Sequence, residues 1–421
     1  MNEIKTIEES LWENAIKLMP RGTQTLSKCP DQFVDGIYPK FAKKAKGAYV
    51  WDLRGNKYLD FACGCGPIIL GYNHRRTNKA IKKQLKNGIL FSIPTVLEQK
   101  LAQLIIDVVP CAEQVRFAKN GTDATLAAVR IARSYTGKEH ILKCGYHGWG
   151  DWNGITLRPH GIPSSLSNII DQFDYNDLEG LDRFLSKGDT AAVIMEAECL
   201  TKPAPGFLEG VRDLCSKNNA LLIFDEIVTG FRWSIGGAQE KYNVIPDLCC
   251  LGKAMANGMP ISAISGKKQY MQELNHAFFS MTFGGECLSI ASSIATIEEL
   301  KLKNYDYLWD LSARLSDGIK NAAKKYNLKI NWPGQALRHQ IEFDGSYPDS
   351  KGMKALFFQE MLGQGILYPN IIYLQFSHTH DDISKTISAA DKSFKIVAEN
   401  KDNIEKALKG SRPIEIFRKN V

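Results

Sequence analysis

Between about Pro67 and Glu299 the chain repeats one pattern: a short apolar run, a turn, then a stretch with helical spacing. The segments read "VRFAKNGTDATLAAVRIARSYTG", "HILKCGYHGW", "TAAVIMEAEC" followed by "GFLEGVRDLCSKNN", "ALLIFDEIV", "PDLCCLGKAM" and "ISAISGKKQYM". Strands that are apolar on both faces and alternate with helices need cover on both sides, which defines a parallel, helix-covered sheet of the α/β class. The flanks read differently. An amphipathic opening helix is followed by a loop to about Gly47 and by "AYVWDLRGNKYLDF", two alternating runs around Arg54-Gly55-Asn56 that signal a β-hairpin. Beyond Leu302 come a long polar helix, a strand at "HQIEFDG", a helix from Lys351 and a closing helix after "SHTHDDISKT". The reading is a large domain over 67–302 and a smaller α+β domain assembled from 1–66 and 303–421, sharing its sheet with the hairpin.

Composition removes several classes. Hydrophobic residues at 44% and charged residues at 24% are near the globular average, so neither a disordered nor a membrane chain is expected. No apolar run reaches the length of a membrane span, and the acidic opening lacks the apolar centre of a signal peptide. Ten scattered cysteines over 421 residues do not make a disulfide framework, so a reduced, cytoplasmic protein is expected. Cys63-x-Cys65 and adjacent Cys249 and Cys250 have no histidine nearby, and no metal site is expected. The lysines at 40, 43, 44 and 46 read as a solvated face; without interleaved aromatics, no nucleic-acid partner is expected. The net charge of +7 favours an anionic substrate.

The strand exits carry the chemistry, because open α/β sheets bind ligands beyond the carboxyl ends of their strands. In "LLIFDEIVTGF", residues 221–231, an apolar strand stops at Asp225 and Glu226, and a carboxylate there either faces a ligand or caps the next segment. Asn120-Gly121-Thr122 stands between a strand and a helix, where free amides can cradle a phosphate or Thr122 and Asp123 can serve as ordinary caps. "CGYHGWGDW" sets Tyr146, His147, Trp149 and Trp152 among glycines, flat faces beside a closely approachable backbone. In "LCCLGKAMANG", Lys253 leaves an apolar strand beside Gly252, either for covalent use or as a snorkelling surface lysine. Asp225 precedes Lys253 by 28 residues, one β-α-β step, so both can stand at one sheet edge. A buried acid, an amine, a phosphate cradle and an aromatic plate together describe a site for pyridoxal 5′-phosphate (PLP). Lys253 would be the catalytic residue and hold the aldehyde as a Schiff base. Asp225 would keep the pyridine nitrogen protonated, and Gly121-Thr122 would hold the phosphate. An ATPase reading fails, since no G-x-x-x-x-G-K-[ST] occurs and Ala254 follows Lys253.

At these residues the chain resembles a known family. "LLIFDEIVTGFR", "PDLCCLGKAMANGMP", "FAKNGTDAT" with "GYHGW", and "MTFGGECLS" resemble the class-III aminotransferases, most closely their glutamate-1-semialdehyde 2,1-aminomutase branch, from about Met19 to about Ala390. The resemblance implies the fold type I of PLP-dependent transferases: a large domain with a mostly parallel seven-stranded sheet, a small α+β domain from both termini, and a homodimer with shared active sites. It implies that Asn120, Gly121, Thr122 and His147 surround the cofactor, that Tyr146 stacks on one ring face and that Ile227 presses on the other. Thr282, in "FSMTFGG", would reach the partner subunit's phosphate, and Glu196 stands where the family has a Val-Glu-Pro strand end, here Met195-Glu196-Ala197. Two positions depart. The serine-rich loop that ends in arginine in the aminomutases offers Lys28 in "GTQTLSKCP", and "NIIYLQFSHTH" shows Tyr373 where many transaminases carry an arginine. Lysine meets a carboxylate as a point charge, without the bidentate fork. Substrate contacts are expected from Lys28, Trp149, Trp152, Arg158, His160 and Tyr373. The expected activity is ping-pong transfer of an amino group between an amino-acid donor and a carbonyl acceptor; variants with "GYHGW" look like transaminases of cell-surface sugar and polysaccharide pathways. The alternatives are a glutamate-1-semialdehyde-type 2,1-aminomutase, a decarboxylase or racemase on the same fold, and a non-catalytic PLP-binding protein.

Overall fold

In the computed structural model, which describes residues 2–332 and 337–414, the stretch before Gly47 is a strand and not a loop. After α1 (Asn2–Leu18), β1 (Ala42–Lys46) pairs antiparallel with β2 (Tyr49–Asp52), which pairs with β3 (Lys57–Asp60). Ala-Lys-Lys-Ala-Lys lacks the alternation of a half-buried strand because β1 is an exposed edge, where lysines hold off other strand edges.

The described residues form two compact units. One comprises the N-terminal residues to Cys65, Ile69–His74 and the chain from Asp306 onward; the other comprises Gly66–Ile68 and Arg75–Tyr305. The second unit begins with α2 (Arg75–Leu85) and α3 (Val96–Ile106). Strands and helices then alternate: β4 (Gln114–Ala118), α4 (Gly121–Thr136), β5 (His140–Cys144), α5 (Asp151–Gly154), β6 (Ile170–Gln172), α6 (Leu178–Leu185), β7 (Thr190–Met195), α7 (Phe207–Lys217), β8 (Leu221–Glu226), α8 (Ala238–Tyr242) and β9 (Leu248–Leu251). β10 (Ser262–Gly266), α9 (Lys268–Met271) and α10 (Cys287–Leu300) complete it. The sheet has seven strands in the order β4-β10-β9-β8-β7-β5-β6; β5 to β9 run parallel and β10 runs against both its neighbours. Every residue of β7, β8 and β9 is buried, as their unbroken apolar runs require. α4 lies on one face through Ala124, Ala127, Ala128, Ile131 and Ala132, against Ile141, Ala192, Ile194 and Ile223. Its alanines let the helix sit close to the sheet, and this fixes its N-terminus at the sheet's carboxyl edge.

The chain returns to the first unit through α11 (Tyr305–Lys325), β11 (Ile330–Asn331), β12 (Arg338–Gln340), β13 (Glu342–Phe343), α12 (Ser350–Gly363), β14 (Ile366–Leu367), β15 (Ile371–Tyr373), α13 (His380–Asn400) and α14 (Ile404–Ala407). β14 joins β3 in parallel and completes a four-stranded sheet, β1-β2-β3-β14. Two expectations need correcting. "HQIEFDG" is not one strand: β12 pairs with β15 and β13 with β11, with buried Ile341 between them. The last long helix starts inside "SHTHDDISKT", at His380, because Thr379 and Asp382 form a reciprocal cap: Thr379 Oγ1 accepts from the Asp382 amide at 3.1 Å and Asp382 Oδ2 from the Thr379 amide at 3.0 Å. Among the described residues no helix is long and apolar enough to cross a membrane, and no group of three or more His, Cys, Asp or Glu could hold a metal ion.

Candidate active site

β8 and β9 are neighbours, with Asp225 opposite Cys250 and Glu226 opposite Leu251, so Asp225 and Lys253 leave the sheet at the same edge. Lys253 follows Gly252 directly into a 3-10 turn, Lys253–Ala256, with φ at +36°. That left-handed backbone is uncommon for a side-chain-bearing residue and turns the chain away at once from the strand. The amine is half-buried and has no hydrogen-bond or ion partner among the described residues.

Ile227 draws three segments together. A Cβ added at Gly121 would lie 3.2 Å from its side chain and one at Gly252 3.0 Å from it, so glycine is what lets the α4 N-terminus and the Lys253 turn close around it. Asp225, 5% exposed, has Oδ2 2.7 Å from His147 Nδ1, and its Oδ1 accepts from the Ile227 amide at 3.1 Å. The buried His147 ring places Nε2 2.9 Å from the Cys144 carbonyl and stacks on Trp152, centroids 6.1 Å apart and planes within 6°. Both ring nitrogens thus face oxygens.

The opposite end of the site is the start of α4. Asp123 Oδ2 takes the amides of Asn120 at 2.7 Å and Lys119 at 3.2 Å, and Ser262 Oγ donates to the Asn120 carbonyl at 2.7 Å. The amides of Gly121 and Thr122 keep no acceptor among the described residues. Free amides at the positive end of a long helix form an anion site. The loop carrying Tyr146 and His147 presses on it: Trp149 N donates to Thr122 Oγ1 at 3.2 Å, and at Gly148, with φ at +100°, a Cβ would lie 2.3 Å from that oxygen. Unpartnered amides, a buried carboxylate paired with a histidine and an unpartnered amine match the phosphate, the ring nitrogen and the aldehyde of pyridoxal 5′-phosphate, and the residues present fit that group.

The other expected residues divide. Tyr146 is half-buried in the same loop, and Glu196 is 8% exposed just past β7. Thr282, Arg158 and His160 are exposed, as is Trp149 at 77%. Trp152 is turned into the core at 3% exposure and backs His147, so the substrate contact expected of it is corrected to a supporting one. Lys28, exposed, and Tyr373, buried, belong to the first unit. The sequence reading passed over Lys143, Asn153 and Thr125, whose side chains hold the carbonyls of this loop; a lone charge inside "HILKC" was the available signal.

The class-III aminotransferase family matches residues 34–153 and 164–384, and the chain belongs to it. It is 36% identical to a glutamate-1-semialdehyde 2,1-aminomutase of Desulforamulus reducens, covering 93% of this chain and 98% of that protein. It is 37% identical to a 3-aminobutyryl-CoA aminotransferase of Cloacimonas acidaminovorans, over 91% and 95% of the two chains. Among solved structures, the PLP form of the FumI protein of Sphingopyxis sp. MTA144 superposes with a TM-score of 0.88 at 27% identity, covering 94% of this chain and 98% of that one. The fold is that of type I PLP-dependent transferases, and pyridoxal 5′-phosphate is the cofactor. Arg158 and His160 fall between the two matched stretches.

Proposed function

We propose that the chain is a PLP-dependent aminotransferase that moves an amino group between an amino-acid donor and a carbonyl acceptor, with Lys253 as its catalytic residue. One juxtaposition carries this reading: the unpartnered Lys253 amine and the buried Asp225–His147 pair leave adjacent strands at one sheet edge. When bound, the cofactor supplies an aldehyde that condenses with amines and a ring that accepts the electron pair left when a substrate carbon loses its proton. Gly121 and Thr122 bind the phosphate through their amides, Asn120 starts that helix, and Asp225 holds the ring nitrogen's proton with His147 behind it. Tyr146 and Ile227 hold the two ring faces, and Glu196 lies beside them. Lys253 would hold the cofactor's aldehyde end through its amine and, once free, would move a proton at the substrate carbon as base and acid in turn. The donor leaves as a carbonyl compound before the acceptor enters, a ping-pong order. Lys28, Trp149, Arg158, His160 and Tyr373 are the proposed substrate contacts.

The second unit serves as the cofactor domain and the first as the small domain. A cytoplasmic homodimer with shared sites completes the reading. It is supported by Ile93, Val96, Phe278 and Phe283, which are 76%, 79%, 79% and 57% exposed in segments joined by the 2.8 Å bond from the Cys287 amide to the Ile89 carbonyl, around Thr282. The name of the 36%-identical relative favours a second reading, an aminomutase that runs both half-reactions on one carbon skeleton. The sugar-pathway acceptor has no counterpart in the names of the relatives above. The test is the visible spectrum of the purified protein with PLP, alone and with single amino donors, beside Lys253→Ala. A donor that converts the band, with no such conversion in the variant, is the expected result. A band that no donor converts favours the aminomutase, and absence of a band overturns the cofactor assignment to Asp225 and Lys253.

A further inference from the structure

We propose that Lys143 and Asn153 are positioning residues for this reaction: a buried amine and a buried amide that fix the Gly145–Gly148 turn and, through it, Tyr146 and His147. The proposal rests on the reading that those two side chains face the cofactor. Lys143 stands in β5 beside fully buried neighbours and is itself 0% exposed. Strand alternation puts it on the face of Ile141, which packs against α4. Among the described residues no carboxylate lies within ion-pair distance of its amine, so charge neutralisation does not explain it. Its two partners are neutral oxygens, the Gly145 carbonyl at 3.0 Å and Asn153 Oδ1 at 2.9 Å.

Asn153, also 0% exposed, carries the connection onward: its Nδ2 donates to the Gly148 carbonyl at 2.6 Å. The run from Gly145 O through Lys143 and Asn153 to Gly148 O therefore ties the start of the turn to its end. Between those points the His147 carbonyl accepts from Thr125 Oγ1 at 2.8 Å, and just before them the Cys144 carbonyl lies 2.9 Å from His147 Nε2. Side chains replace the ladder that a strand or helix would give this backbone, which is needed because Gly145 and Gly148, with φ at +97° and +100°, belong to neither. Packing alone would be served by leucine or methionine at position 143, at no cost in desolvation. Burial pushes the Lys143 ammonium down to about 8, and an uncharged amine still offers two N–H groups for its two acceptors.

The test uses the full-length protein, wild type and the variants Lys143→Met and Asn153→Ala, with two readouts. Hydrogen exchange is followed over Gly145–Asn153 without cofactor, and circular dichroism of the visible cofactor band with saturating PLP. In both variants exchange in that segment is expected to rise about tenfold or more while β7 and β8 keep their protection, and the dichroic band is expected to weaken. Exchange and dichroism unchanged in both variants overturn the proposal. Should Lys143→Met fail to fold, Asn153→Ala decides, because it removes the bridge from Lys143 to Gly148 and leaves the Lys143–Gly145 bond in place. Wild-type protein that gives no band overturns the cofactor reading and the positioning role together; a wild-type band with unaltered variants overturns the positioning role alone.

Discussion

Asp225 and Glu226 are adjacent at the end of β8, both shielded from water, yet they are held in different ways. Glu226 takes four donors from its own side of the sheet: Thr229 Oγ1, the amides of Ala238 and Gln239 at 2.9 Å each, and Gln239 Nε2 at 3.3 Å. Those bonds anchor the start of α8 and offset the burial that pushes the Glu226 carboxyl up. Asp225 takes two, His147 and the Ile227 amide. A carboxylate has about four acceptor positions, so Glu226 is saturated and Asp225 keeps capacity for further partners. Strand alternation sends the two to opposite faces, and Glu226 is the one that caps the next helix.

Lys253→Ala sets the scale of the largest loss. Given the proposed role of that amine in holding the aldehyde and moving the proton, turnover should fall by roughly 10⁴-fold or more, measured as single-turnover conversion of the cofactor band. Asp225→Ala should follow, with kcat lower by roughly 10²–10³-fold and a smaller stability loss than Glu226→Ala, since two donors are left unpaired and not four. Glu226→Ala should do the opposite: it leaves buried amide and hydroxyl donors without an acceptor and should cost about 3 kcal/mol of unfolding free energy by denaturant titration, with kcat per folded molecule little changed. Equal stability losses in the two single variants, or equal losses of kcat, would erase the distinction between them.

Much of this contrast was readable in the chain because burial on both faces leaves an unambiguous trace. β7, β8 and β9 announce themselves as apolar runs, and the spacing of Asp225 and Lys253 follows from one crossover between parallel neighbours. The spacing to Lys253 singled out Asp225 for the ring nitrogen, but what holds each carboxylate was not readable, since the donors to Glu226 come from α8 and the partner of Asp225 from the loop after β5. β1 was hidden for a different reason: an exposed edge strand needs no apolar face, and its lysines resemble loop composition. Trp152 misled because an aromatic between glycines serves equally to face a ligand or to support the residue that does, and only tertiary packing decides.

Lys143 gives the smallest effect and the finest cut, since it tests whether a buried charge behind the reactive side of the sheet behaves as its surroundings require. In the unfolded chain its ammonium titrates near 10.5, and burial lowers that to about 8 in the folded chain. Between these values the unfolded chain binds the extra proton, so this residue's contribution to stability rises with pH, by at most roughly 1.4 kcal/mol per pH unit. The buried thiols act the other way: Cys144 and Cys215 are pushed from 9 up to about 12, so their unfolded forms lose protons first and stability falls as pH rises above 9. The measurable quantity is therefore the difference between wild type and Lys143→Met in unfolding free energy across pH 8 to 10. Relative to the variant, wild type should gain stability with rising pH over that window. A flat difference would mean that the amine meets water or an anion in solution, and the drained setting that separates the Asp225 side of the sheet from an ordinary surface would not extend to β5.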